Sequence, residues 1–226
     1  MSPRIHSDAR SRRIALIITA VCAAVSIPAL VVLFSVAGRS ASPWFGQYDS
    51  EARPAYDFSL TDQNGNPLHL HDLRGNIVLL SFGFTRCPNI CPTTLGNLAA
   101  VFRRLSPAAQ EKVKVAFVSV DERDTPAALK EYVPFFHDRF IGLTGDPADV
   151  GAAARAYGAF FRKAPAVGED KSDYMIDHST YTYLIDPDGN LRILYRFDQM
   201  PEHERIADDV ERALGLPVAE RQTVEK

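Results

Sequence analysis

The chain has 226 residues, 46% of them hydrophobic and 23% charged, which is enough for one good-sized core. Its formal net charge of -3 divides unevenly: Arg4, Arg10, Arg12 and Arg13 against Asp8 give +3 in residues 1–13, so the remaining residues carry -6. A mildly acidic body argues against nucleic acid as a partner and suits a cation or a basic protein.

In chain order, residues 1–13 read as a basic cytoplasmic tail. Ile14 to Ala37 follows, 24 residues without a charge. As a helix rising about 1.5 Å per residue it reaches roughly 36 Å, enough to span a bilayer with some tilt. Four arginines precede it, and only Arg39 stands in the 15 residues after it. The positive-inside rule therefore keeps the N-terminus cytoplasmic and sends the body across the membrane. A cleaved signal peptide ending at Ser35–Ala37 is the rival reading, but such apolar regions run only about 7 to 15 residues. Cys22 follows a valine too large for a lipoprotein site and reads as an ordinary membrane-helix residue.

Residues 38–53 look like a linker, 54–216 like a folded domain and 217–226 like a polar tail. Residues 55–70 read as two short strands around the Asn64-Gly65 turn. The apolar run 76–84 predicts a central strand covered on both faces. Pro92 can stand at the first position of a helix to about Leu105, with Leu95, Leu98, Ala99, Phe102 and Leu105 on one stripe. A second buried strand is expected at 112–120, and Thr125-Pro126 then open a helix through about Phe136. Residues 140–145 are strand-like, and Asp146-Pro147 start a helix ending at Gly158. Residues 180–186 and 191–197 flank the Pro187–Asn190 turn as a hairpin. Pro201 opens a last helix with Ile206, Val210, Ala213 and Leu214 inward, stopped by Gly215 and Pro217. The order β-α-β-α-β-α-β-β-α predicts one α/β domain, a mixed sheet with helices on both faces.

Beyond Cys22 the chain holds only Cys87 and Cys91, in Thr-Arg-Cys-Pro-Asn-Ile-Cys-Pro. Across a membrane the pair can oxidise, yet a disulfide closing so short a loop restrains the unfolded chain little, which makes it a poor staple. Proline after each cysteine disfavours the α conformation there, so both are expected in a loop after the central strand, Cys91 near the cap of the next helix. Such strand ends are where α/β folds bind ligands, and a helix N-terminus eases thiol ionisation. Two chemistries remain open, thiol–disulfide exchange and soft-metal binding. Two thiolates without a second close Cys or His pair suit copper better than structural zinc. Of the histidines, His6 lies before the apolar segment and is excluded, while His69, His71, His137 and His203 read as surface or capping residues. His178, in the loop before the C-terminal hairpin, is the candidate third ligand. Met175 and Met200 are thioether candidates that read more simply as filling.

The segments Phe-Gly-Phe-Thr-Arg-Cys-Pro-Asn-Ile-Cys-Pro-Thr-Thr-Leu (82–95), Val118–Pro126, Phe140–Gly145 and Asp177–Asn190 together resemble the Sco/SenC family of membrane-tethered, thioredoxin-like copper proteins, over about residues 54–214. The resemblance implies a metallochaperone that helps assemble the copper A site of cytochrome c oxidase. It implies that Cys87, Cys91 and His178 bind one copper, as Cu(I) or Cu(II), with Cys87 and Cys91 also a redox-active pair. The implied partners are the oxidase's copper-bearing subunit and a further periplasmic copper chaperone or thiol reductase. The implied setting is a bacterial inner membrane with the domain in the periplasm, or alternatively a mitochondrial inner membrane facing the intermembrane space. The family's Val-Asp-Pro-Glu-Arg-Asp-Thr-Pro is one residue shorter here, Val-Asp-Glu-Arg-Asp-Thr-Pro at 120–126. The supporting aspartate that the family keeps beside its copper loop is matched by Asp121, with Asp124 the fallback. The alternative function is a thiol–disulfide reductase that keeps the acceptor's cysteines reduced. It needs the cysteines but not His178. A peroxidase is the remaining reading, and its Pro-x-x-x-Thr/Ser-x-x-Cys pattern is not clearly met.

Overall fold

The structure, a computed structural model, describes Ile17, residues 42–164 and residues 174–218. The apolar segment 14–37 and the basic tail before it fall outside these residues, apart from Ile17. Among the described residues no helix is long and apolar enough to cross a membrane.

The strands are β1 (Gln47–Pro54), β2 (Ser59–Asp62), β3 (Pro67–His69), β4 (Ile77–Gly83), β5 (Val113–Ser119), β6 (Ile141–Thr144), β7 (Phe161–Lys163), β8 (Ile176–His178), β9 (Thr182–Ile185) and β10 (Asn190–Tyr195). The helices are α1 (Ile90–Arg104), α2 (Pro107–Glu111), α3 (Pro126–Tyr132), α4 (Pro147–Ala156) and α5 (His203–Ala213). Eight strands form one mixed sheet in the order β1-β10-β9-β4-β5-β6-β2-β3, while β7 and β8 form a separate two-stranded ribbon. β4, β5 and β6 run parallel, and β9 lies antiparallel on the other side of β4.

The sequence explains the centre of this sheet directly. All seven residues of β4 are buried, as a continuous run of β formers demands of a strand covered on both faces. Thr125 and Asp146 cap α3 and α4 as expected, each side chain accepting a backbone N–H, with proline at the first helical position. α1 and α5 pack together, burying Leu95 and Leu98 from one and Ile206 and Val210 from the other.

Several expectations need correction. The linker assigned to 38–53 ends early, because residues 47–54 form β1 at the sheet edge, antiparallel to β10. Its sequence, Gln-Tyr-Asp-Ser-Glu-Ala-Arg-Pro, has no apolar alternation; an edge strand needs one partner only and exposes much of its length. The segment before it is held from outside: Asp209 of α5 accepts the backbone N–H groups of Phe45 and Gly46, and Trp44 stacks on Tyr48. The last helix starts at His203 rather than Pro201. The third correction concerns Cys91, which is not in a loop.

Candidate metal centre

The site is assembled from the C-terminal end of β4, the first turn of α1 and the end of β8. α1 starts at Ile90, two residues before Pro92, so Cys91 is already helical. Proline is harmless there, since the first-turn N–H it lacks has no intrahelical partner and no preceding turn exists for its ring to strike. The consequence is that Cys91 faces inward, 2% exposed, while Cys87 stays half-buried in the loop before the helix.

Gly83 makes this possible. A Cβ at that position would stand 2.6 Å from the Cys91 Sγ and 2.7 Å from the Phe117 ring, so the thiol fits against bare backbone. The signal was present in the sequence, a glycine inside an otherwise continuous apolar strand.

The third group arrives from the ribbon. His178 is the last residue of β8, not a loop residue, and its Nε2 lies 3.4 Å from the Cys91 Sγ. Its Nδ1 is 2.8 Å from the Ser179 carbonyl, which can only accept, so the proton sits on Nδ1 and the Nε2 lone pair is directed at the sulfur. One ligand atom from each of Cys87, Cys91 and His178 lies within 4.8 Å of the others. That spread matches donors around one ion, given metal–sulfur bonds of about 2.3 Å. This is the single such group among the described residues.

The electrostatics divide the two sulfurs. The hydrogen bond from the Cys91 thiol, aided by His178 and the backbone N–H groups of Asn89 and Cys91, holds the Cys87 thiol far below its usual value. The same bond and burial push Cys91 up. Burial opposes protonation of His178, but the Cys87 sulfur and the Ser179 carbonyl outweigh it and raise its pKa. Metal-free, the centre is a thiolate and a thiol sharing one proton beside an imidazole. Its donors are soft and partly desolvated, and they require proton release to take a cation.

Asp121 and Asp124 are both 2% exposed and do different things. Asp124 accepts from the backbone N–H and hydroxyl of Thr85 at 2.7 and 2.6 Å and from the Ser119 hydroxyl at 2.6 Å. It thus fixes the chain two residues before Cys87. Asp121 turns the other way, to a two-point contact with Arg123 and to the Tyr174 hydroxyl, with Arg86 3.9 Å away. The hydrogen bonds from Arg123, aided by Tyr174, outweigh burial and lower the pKa of Asp121. The other described histidines lie elsewhere: His71 pairs with Asp57, His137 with Asp138, and His203 with Asn97, while His69 stacks on His71. Met200 is fully buried in the core, whereas Met175 is exposed.

The SCO1/SenC family pattern matches residues 46–215. A SCO2-like protein of Rickettsia felis is 35% identical over 190 residues, 82% of this chain and 91% of that protein. The apo Sco1 protein of Thermus thermophilus, solved in solution, superposes with a TM-score of 0.68 at 39% identity, over 75% of this chain and 96% of that one. Bradyrhizobium japonicum ScoI, solved with copper bound, gives a TM-score of 0.62 at 36% identity, over 71% of this chain and 99% of its own. The α/β fold is the thioredoxin-like one of these proteins, a mixed sheet flanked by helices. The chain is a member of the SCO1/SenC family.

Proposed function

We propose that this protein binds one copper ion through Cys87, Cys91 and His178 and delivers it to the copper A site of cytochrome c oxidase. The observation that carries the reading is the convergence of two sulfurs and one directed imidazole within 4.8 Å. Two thiolates and one nitrogen make a soft, low-coordinate set that suits Cu(I), and among the described residues no fourth ligand joins them as a structural zinc site would require. Cys87, half-buried, is the ligand an acceptor thiolate can reach, so copper passes by ligand exchange starting there. Asp124 supports the cysteine loop through Thr85, and Asp121 supports the histidine side.

The apolar run Ile14 to Ala37, following four arginines, is the basis for a single uncleaved anchor with the domain on the far side of the membrane. The setting is a bacterial inner membrane, with the domain facing the periplasm and the copper-bearing oxidase subunit as partner. A second copper chaperone or a thiol reductase supplies metal or electrons to the same site.

Anaerobic competition between a chromophoric Cu(I) chelator and the reduced full-length chain in detergent micelles tests this reading. Wild type takes up one Cu(I), and His178→Ala weakens binding at least tenfold, about 1.4 kcal/mol. A histidine without effect on affinity overturns the three-ligand site. One observation favours a second reading in that event. A half-exposed thiolate at Cys87 beside a buried thiol at Cys91 is the arrangement of a nucleophilic and a resolving cysteine, as in a thiol–disulfide reductase.

A further inference from the structure

The two halves of the ligand set are attached to the body differently, and His178 has the weaker mounting. It ends a three-residue strand whose ladder partner among the described residues is the equally short β7, and a two-stranded ribbon is marginal by itself in water. Apolar packing holds it only in part. Ile176 joins the core and Phe161 packs against it, but a cavity of about 180 Å³, lined by Val120, Val150, Phe161 and Ile176 among others, lies beside this contact between the ribbon and the end of the sheet.

What closes the ribbon onto the body is a polar clasp around Tyr174, four residues before His178. Its hydroxyl donates to Asp121 Oδ1 at 3.1 Å, and its carbonyl accepts from Arg123 at 2.9 Å. The Arg123 guanidinium lies 3.6 Å from the centre of its ring. From β7, Lys163 reaches the same ring at 4.6 Å and pairs with Glu122 at 2.6 Å. β7 and the segment leading into β8 are thus tied to three consecutive residues, 121–123, of the loop after β5. The same Asp121 carboxylate lies 3.9 Å from Arg86, the neighbour of Cys87.

We propose that Tyr174 and Arg123 are positioning residues for His178, mooring the β7–β8 ribbon to the loop after β5 so that the imidazole is held at bonding distance from the cysteine pair. The inference rests on the copper reading above for its consequence, though not for the mooring itself. Neither residue touches the metal. Each acts by limiting the distance and angle His178 can explore, as groups that orient a metal ligand do, and losses of about 10- to 100-fold in metal affinity are typical when such groups are removed.

The test uses Tyr174→Leu, which deletes both the stack and the hydroxyl, and Tyr174→Phe, which keeps the stack. Arg123 is left in place, because removing it strands a buried Asp121 carboxylate and risks the fold. Each variant is made in the full-length chain, in the parent and in the His178→Ala background, and titrated with Cu(I) in detergent against a chelator. Tyr174→Leu is expected to weaken binding about tenfold in the parent and less than twofold when His178 is gone, a non-additive pair. Tyr174→Phe should lose about threefold at most. A loss of equal size in both backgrounds, or none in the parent, overturns the proposal. Hydrogen exchange on the reduced, copper-free chain decides the mooring independently. Amides of β7 and β8 should exchange at least tenfold faster in Tyr174→Leu while β4 and β9 stay unchanged. Unchanged ribbon protection overturns the proposal even if copper binds. If His178→Ala binds copper as wild type does, the copper reading fails, and the exchange result still settles whether Tyr174 moors the ribbon.

Discussion

The cysteine half and the histidine half of the centre are built on opposite terms. Cys91 is seated against β4, a strand buried along its whole length and hydrogen-bonded on both sides, by β5 and β9. Its neighbours leave no slack, since Gly83 has no room for even one carbon more. His178 hangs on a ribbon outside that sheet and is located by side-chain contacts over a cavity. A site that must hold copper and also release it gains from this pairing. Two ligands have fixed places, and the third rides on an element whose opening costs less than opening the sheet.

The comparison is broken most severely from the cysteine side. Asp124 is buried and accepts from three donors, the Thr85 backbone and hydroxyl and the Ser119 hydroxyl. Asp124→Ala leaves those donors unpaired and should lower the unfolding free energy by about 2–4 kcal/mol in urea titrations, with weakened Cu(I) binding. A loss under about 1 kcal/mol would mean that the cysteine loop is held by something else. Gly83→Ala comes next. The added Cβ meets Cys91 Sγ at 2.6 Å and the Phe117 ring at 2.7 Å, an overpacking cost of about 1–3 kcal/mol that also displaces a ligand. Gly96 is the control: a Cβ there meets nothing within 4 Å on an exposed part of α1, and Gly96→Ala should stabilise by up to about 1 kcal/mol.

The same contrast decides what was legible in the sequence. β4 and β5 announce themselves, because a strand covered on both faces reads as a near-continuous apolar run even with Ser81 in one and Lys114 in the other, and the caps of α3 and α4 follow from Thr125-Pro126 and Asp146-Pro147. Cys87, Cys91 and His178 could be named as candidates from residue type and the family resemblance, before any coordinates placed them together. The ribbon could not be read. Phe-Arg-Lys and Ile-Asp-His are too short to carry a period, and they are tied by Tyr174 and Arg123, whose partners lie 53 and 51 residues away along the chain. β1 escaped for a related reason. Its anchoring carboxylate, Asp209, is 164 residues from Phe45 and stands inside a helix next to its apolar stripe. Asp121 and Asp124 both reach the cysteine loop, Asp124 through hydrogen bonds to Thr85 and Asp121 through the looser ion pair with Arg86, and the one-residue contraction of the 120–126 motif offers no means of ranking them from sequence.

Proton release on binding should separate the two halves quantitatively. Cys87, with its pKa lowered, is already a thiolate at neutral pH and gives up nothing. Cys91, with its pKa raised, must lose a proton at every pH in the usual range. His178, also raised, must lose one only below its own pKa. Affinity for Cu(I) therefore rises with pH, by about one decade per unit on the alkaline side and towards two on the acid side, each decade about 1.4 kcal/mol. In His178→Ala the slope should stay near one throughout. A wild-type slope near zero would mean that both sulfurs are already ionised, contrary to the shared proton.

The smallest effect belongs to the outermost contact of the ribbon. Lys163 pairs with Glu122 at 2.6 Å, but both side chains are about half exposed. Pairs of that kind contribute about 0–1 kcal/mol and are screened by salt. Lys163→Ala should thus leave the urea unfolding midpoint almost unchanged and Cu(I) affinity within a factor of two. Arg123 still faces the Tyr174 ring in that variant, and the Tyr174 hydroxyl still reaches Asp121. A larger fall in affinity, abolished by high salt in the wild type, would move the decisive tie from the buried Asp121 side of the clasp to its exposed Glu122 side. The ribbon would then be held by charge in water rather than by a carboxylate shut away from it.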